Sequence, residues 1–291
     1  MKLFVTDIDD TLSVGERVSQ EVEDACARLK NGGWEIMIAT GRTFGTAKTH
    51  IAAASATQPA ILYDGARLMS VEGKEIRSFL FDPSLAAKLV DFLWTLPAEI
   101  QIAGDEIVHC RESDVETARF YREAGMPVFY IETPVVPGPV YRMGLWLKPE
   151  NLSFVESQVE AAFGDCAEVV SGGAEYVDIL PKGVSKGSAL EYYISTLPRR
   201  PEVVVAAGDH KNDMTLLRCA DVAVIPANAA QVLLPLADVI MPKAAENGIS
   251  ALARHILSPD FQFFPKNHFF PENHPSGQPG KSGRPKPPVI L

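Results

Sequence analysis

The sequence predicts an α/β protein: a parallel sheet with crossover helices, interrupted by an inserted α+β module. Three observations carry the prediction. Strand-length apolar runs alternate with helical stretches at both ends of the 291-residue chain. Those runs stop abruptly, at Asp or at Thr-Gly. Between them, from about Asp82 to about Asp178, hairpin-like strands replace the alternation.

The first strand is Lys2 to Thr6, whose Leu, Phe and Val favour a strand, and it stops at Asp7-Ile8-Asp9-Asp10. A helical stretch from Ser19 to Lys30 ends at Gly32-Gly33. The second strand, Trp34 to Ala39, leads into Thr40-Gly41-Arg42. A helix over about Thr46 to Ala56 then precedes a third strand, Ala60 to Tyr63, closed by Asp64-Gly65.

In the middle, helices are expected over Ser84 to Leu96, Ser113 to Glu123 and Leu152 to Phe163. Strands are expected over Ile100 to Ile102, Ile107 to Cys110, Val140 to Leu147, near Val169, and over Tyr176 to Ile179. Pro134, Pro137 and Pro139 mark a loop. The parallel pattern resumes with a helix from Ser185 to Thr196, a strand from Glu202 to Ala207 ending at Gly208-Asp209, and a helix from Asn212 to Cys219. Val222 to Ile225 reads as a strand, Asn228 to Leu236 as helical and Gly248 to Leu257 as the closing helix. The domains so predicted are a discontinuous core (1–81 and 182–257), an insertion (82–181) and a Pro/Phe-rich tail (258–291) expected to be largely disordered. His268 and His274 in that tail make only a weak metal site.

A hydrophobic fraction of 46% suits a globular protein, and no apolar run approaches the ~18 residues of a membrane span. The N-terminus reads as a strand rather than a signal peptide, so the expectation is a cytoplasmic protein. A formal net charge of −10 argues against general affinity for nucleic acid or anionic membranes. Cys26, Cys110, Cys166 and Cys219 lack metal-ligand spacing and read as reduced, mostly packing residues.

In open parallel sheets, ligands sit at the carboxyl ends of strands. Here those ends deliver Asp7, Asp9, Asp10, Thr40, Asp64, Asp209 and Asp213. Any one of them alone is an ordinary loop or cap residue. Gathered together, such carboxylates are costly unless a cation neutralises them, and all-oxygen ligands suit Mg²⁺. Lys186 and Thr40 offer a point charge and a hydroxyl to a phosphoryl group, and Gly41 lets the backbone come close. By itself, Lys186 beside Gly187 is an unremarkable helix start.

At this point the chain resembles the haloacid dehalogenase-type phosphatases. Asp7-Ile8-Asp9-Asp10-Thr11-Leu12 resembles their first motif, Thr40-Gly41-Arg42 the second, Lys186 within Gly183-Val184-Ser185-Lys186-Gly187 the third, and Gly208-Asp209 through Asn212-Asp213 the fourth. The insertion between the second and third motifs is similar to the α/β cap of the Cof-type subfamily, which implies a Rossmann-like core beneath a cap. There are departures: Asp10 stands where Gly is frequent, Asp64 where Asn is frequent, and His210-Lys211 where residues are often smaller.

The resemblance implies that Asp7 is the nucleophile and Asp9 the acid and base. It implies that Asp7, the Asp9 backbone carbonyl and Asp209 hold Mg²⁺, with Asp213 orienting them. Thr40, Gly41, Lys186 and Asn212 would bind substrate phosphate. The expected activity is hydrolysis of a small phosphorylated metabolite, plausibly a sugar phosphate, through an aspartyl-phosphate. A phosphomutase and a non-enzymatic phospho-acceptor are the alternatives. Trp94, Trp146, Tyr130 and Tyr141 read as core packing before sugar stacking. Arg42 and Lys211 read equally as solvated residues or as contacts to an anionic substrate.

Overall fold

The computed structural model describes residues 1–171, 175–259, 261 and 288–291. Six strands form a sheet in which every pairing is parallel. Their order is Val289–Ile290, Val239–Met241, Val222–Pro226, Val203–Ala207, Lys2–Thr6 and Trp34–Ile38. Lys2–Thr6 is paired on both sides, between Val203–Ala207 and Trp34–Ile38, and its apolar side chains divide between the two faces as the strand period of two requires. Phe4 joins a cluster with Val22, Leu29, Leu252 and Ile256 of helices Gln20–Asn31 and Gly248–Ile256. Leu3 and Val5 pack on the opposite side with Leu190 and Leu217, from helices Lys186–Thr196 and Met214–Cys219. Helix starts follow from local chemistry: Ser19 accepts from the Val22 N–H, and Ser185 and Ser188 cap each other reciprocally.

A second six-stranded sheet lies between these segments in sequence, in the order Ala167–Ser171, Tyr176–Pro181, Arg142–Trp146, Glu99–Ala103, Val108–Cys110 and Val128–Tyr130. All its pairings are antiparallel except the last, which is parallel. Met143, Leu145, Val177 and Ile179 pack against helices Pro83–Leu93 and Leu152–Phe163. By the same alternation, Arg142, Gly144, Trp146, Tyr176 and Asp178 belong to the other face.

Several expectations change. The strand at Ala60 meets the parallel sheet over a short stretch, through a parallel Ala39–Ile61 bridge and the Thr40 N–H, which donates to the Ile61 carbonyl at 2.9 Å. Its other edge is antiparallel: Ala60–Leu62 pairs with Arg67–Met69, which pairs with Glu75–Ser78. The cause is the turn at Tyr63, Asp64 and Gly65, all at positive φ (49°, 54° and 110°), which reverses the chain. The stretch from Asn228 is a 3₁₀ turn over Gln231–Leu236 with Pro235 inside it, where an α-helical N–H is missing. The strands at Val128, Val239 and Val289 carry too few residues to stand out as periodic.

The tail is structured at its end, since Val289–Ile290 pairs with Val239–Met241. Phe261 sits 6.5 Å from Trp34 and 5.4 Å from His255, ring to ring, so the start of the tail docks on the body. His268 and His274 lie outside the described residues. Cys26 and Cys110 are buried, whereas Cys166 is exposed. Among the described residues, no helix is long and apolar enough to cross a membrane.

Candidate active site

Asp7 follows directly on the strand Lys2–Thr6, its N–H donating to the Ala207 carbonyl of the neighbouring strand at 3.0 Å. That neighbour ends at Gly208-Asp209, so two carboxylates leave the sheet side by side. Asp213 follows one turn later and is fully buried, its Oδ2 accepting from the backbone N–H groups of Asp209 (3.0 Å) and His210 (3.1 Å). Carboxylate oxygens of Asp7, Asp209 and Asp213 all lie within 4.8 Å of one another.

Lys186, 1% exposed, reaches this cluster from the first residue of its helix. Its Nζ donates to Asp7 Oδ1 at 2.8 Å and Asp213 Oδ1 at 2.7 Å, and lies 4.0 Å from Asp64 Oδ1. Burial opposes its charge, but Asp213, Asp7 and Asp64 outweigh burial and hold its ammonium well above the ordinary range. One ammonium cannot neutralise all the acids. Burial, against the pull of Lys186, pushes the Asp7 carboxyl well up, with Asp213, Asp9 and Asp209 adding repulsion. Asp209 is pushed up to about 7 by burial and by Asp213, although the Thr11 hydroxyl donates to it at 3.1 Å. Surplus buried negative charge on hard oxygen donors fits a hard divalent cation.

The remaining candidates line up around this centre. Thr40 is fully buried, and its hydroxyl oxygen accepts from the Arg42 N–H at 3.2 Å. The Gly41 carbonyl accepts from Arg142 at 3.1 Å. Asp9 is gripped by Arg42, which donates from Nη2 at 2.6 Å and from Nε at 3.0 Å; Arg42 also donates to Glu16 at 2.8 Å. Arg42 is therefore neither simply solvated nor open to an anionic ligand. Asn212 donates to Asp64 Oδ1 at 3.0 Å.

Sequence reasoning left Arg142 and Asp178 out of the site. Arg142, 7% exposed, donates to Asp64 Oδ2 at 2.9 Å and to the Tyr121 hydroxyl at 3.1 Å, and its Nε is 3.2 Å from Asp178 Oδ1. A signal was present, since each is a lone charge within an apolar strand. Asp64 can meet Arg142 because Gly65 turns at φ +110° in a spot where a Cβ would strike the Ser185 carbonyl oxygen at 2.2 Å. A cleft of about 640 Å³ opens here, lined by Asp7, Asp9, Asp209 and Asn212 on one side and by Phe120, Trp146 and Tyr176 on the other. Trp146, expected as core packing, is thus part of the cleft wall; Tyr141 is core, 5.0 Å from the Tyr63 ring.

The family model for haloacid dehalogenase-like hydrolases matches residues 4–252. The chain is 24% identical over 266 residues to the HMP-PP phosphatase of Yersinia enterocolitica, covering 88% of this chain and 96% of that protein. Among solved structures, a haloacid dehalogenase-like hydrolase from Bacillus subtilis aligns with TM-score 0.76 at 21% identity, covering 88% of this chain and all (100%) of that one. The sugar phosphatase BT4131 aligns with TM-score 0.75 at 20% identity, covering 88% and 99%. At these identities, the two structures speak to the fold.

Proposed function

Because the chain belongs to the haloacid dehalogenase-like hydrolase family, we propose that it is a phosphatase for small phosphorylated metabolites, sugar phosphates among them. The observation that carries this reading is Lys186 bridging Asp7 and Asp213 beside Asp209, at the ends of two adjacent parallel strands. Residues 1–81 and 182–257 act as the core, and residues 82–181 act as a cap that covers the cleft.

In the first step an Asp7 carboxylate oxygen attacks phosphorus and the bond to the leaving alcohol breaks. Asp9 gives its proton to that leaving oxygen. In the second step Asp9 takes a proton from water, whose oxygen attacks the aspartyl-phosphate and frees both phosphate and Asp7. Lys186 and the Thr40 hydroxyl hold phosphate oxygens, with the Gly41 and Asn212 segments alongside. Arg42 orients the Asp9 carboxylate. Asp7, the Asp9 carbonyl and Asp209 would hold Mg²⁺, with Asp213 fixing Asp209 and its loop. The ion would supply charge neutralisation for the phosphoryl group.

The test is phosphate release from a panel of phosphate esters with and without Mg²⁺, alongside Asp7→Asn. Mg²⁺-dependent release that vanishes in Asp7→Asn supports the reading. Transfer of the phosphoryl group to a second substrate position without free phosphate would replace it with a mutase.

A further inference from the structure

The helix Phe44–Ala53 starts just after Thr40-Gly41-Arg42, and its first turn carries no acidic residue of its own. Thr43 caps it by accepting from the Thr46 N–H at 3.4 Å, which leaves the N–H groups of Phe44 and Gly45 in need of acceptors. The carboxylate they meet comes from the insertion. Glu106 lies in the hairpin tip between the strands Glu99–Ala103 and Val108–Cys110. Its Oε1 accepts from the Phe44 N–H at 3.0 Å and its Oε2 from the Gly45 N–H at 2.8 Å. Gly45 leaves the room for this contact, since a Cβ there would meet Glu106 Oε2 at 2.7 Å. A carboxylate so placed also meets the positive end of the helix dipole.

The tip itself is held by the core. The buried Tyr63 hydroxyl donates to the Gly104 carbonyl at 2.9 Å and accepts from the Glu106 N–H at 3.1 Å. Arg67 pairs with Asp105 and with Glu75, the latter at 2.9 Å, and its Nη1 lies 3.8 Å from Glu106 Oε1. Glu106 is fixed at φ 55°, a conformation that a glutamate adopts only when its surroundings over-determine it.

From this helix start the contact runs inward to the site. Arg42 Nη1 donates to the Thr46 carbonyl in the same first turn at 3.5 Å and to Glu16 at 2.8 Å, while Nη2 and Nε hold Asp9. Thr43 and Thr46 line the cleft beside Arg42 and Asp9. A shift of the first turn therefore moves Arg42, and with it the Asp9 carboxylate.

We propose that Glu106 is a positioning residue for Asp9: it fixes the helix start on which Arg42 rests, so that the placement of Asp9 depends on the docking of the insertion. The inference rests on the phosphatase reading above. It gives the insertion a part in proton transfer that needs no contact with the substrate. Displacements of this kind cost rate out of proportion to their size, because proton transfer demands a close and aligned donor.

The experiment measures kcat/KM for ethyl phosphate, whose leaving alkoxide needs a proton, and for 2,4-dinitrophenyl phosphate, whose leaving phenolate does not. Glu106→Ala should lower the value for the ethyl ester by about tenfold and that for the dinitrophenyl ester by less than about twofold. Glu106→Gln, with one acceptor oxygen left at the helix start, should fall between wild type and Glu106→Ala, and it carries the same comparison if Glu106→Ala does not fold. In an Arg42→Ala background, Glu106→Ala should cost the ethyl ester less than about twofold more, because the residue through which it acts is gone. Equal losses on the two esters would make Glu106 a structural support only, and would overturn the inference. Unchanged turnover of the ethyl ester, or full additivity with Arg42→Ala, would overturn it as well. A wild-type protein that cleaves only the dinitrophenyl ester has no acid step for Glu106 to support, and this inference alone falls. If wild type cleaves neither ester, the phosphatase reading falls and takes this inference with it.

Discussion

Arg142 of the second sheet donates to Asp64 at 2.9 Å, joining that sheet to the end of the core from which Asp7 projects. The same guanidinium pairs with Asp178, and Asp64 in turn accepts from Asn212. All three charged groups are buried, so each depends on the others for compensation.

Replacing Arg142 by Met should therefore destabilise the protein by about 3–5 kcal/mol, because it strands two buried carboxylates. Asp64→Asn should cost less, since Asp178 and the Gly41 carbonyl still hold the guanidinium. Urea unfolding of both variants checks the order. Equal costs, or no cost for Arg142→Met, would show that the junction does not depend on this pairing.

Mg²⁺ affinity should depend on pH through Asp209, whose carboxyl burial and Asp213 push up to about 7. A proton on Asp209 competes with the ion. Affinity should thus fall as pH drops below about 7, by about tenfold per unit or more, because the Asp7 carboxyl, also pushed up by burial, competes in the same direction. Calorimetric titration of Mg²⁺ between pH 5.5 and 8.5, roughly bracketing that value, reads this directly. An affinity flat across the range would mean that Asp209 is already ionised in the metal-free protein.

Lys186→Met should lower kcat by about 100- to 1000-fold, the scale of losing one preorganised charge at the reacting group. Mg²⁺ binding should survive, because the substitution removes a cation from a carboxylate cluster and leaves its oxygens in place. Steady-state kinetics and calorimetry on the same sample separate the two effects. Loss of both together would make Lys186 a structural support of the cluster.

Phe261→Ala should reduce stability by about 0.5–1.5 kcal/mol, the range for an aromatic pair, through its contacts with Trp34 and His255. Thermal unfolding of this variant beside Trp34→Leu would show whether the two changes are coupled. Fully additive effects would mean that the tail start is not anchored there.

The strand ends were legible in the sequence because a buried parallel strand is a continuous apolar run, and its arrest at Asp7, Thr40 or Asp209 is abrupt. Lys186 became legible only in company, since the residues it bridges lie far apart in the chain. Arg142 and Asp178 escape a search for polar groups at the carboxyl ends of parallel strands, because both sit inside strands of the insertion, where alternation puts them on the face opposite Met143 and Ile179. Trp146 shares that face and so lines the cleft. The turn at Asp64 is announced by Gly65 alone: positive φ at Tyr63 and Asp64 runs against the preference of ordinary side chains. Asp10, noted as a departure from Gly, also sits at positive φ (54°), a conformation that Asp tolerates better than most residues.

The central claim is that Asp7 carries the phosphoryl group. Its most direct test is to quench the protein during turnover of a slowly hydrolysed ester and reduce the sample with borohydride, which converts an aspartyl-phosphate to homoserine. Peptide mass spectrometry then locates the product. Homoserine at position 7, absent without substrate, is the predicted result. Homoserine at another aspartate, or phosphate release at full rate from Asp7→Asn, would contradict it.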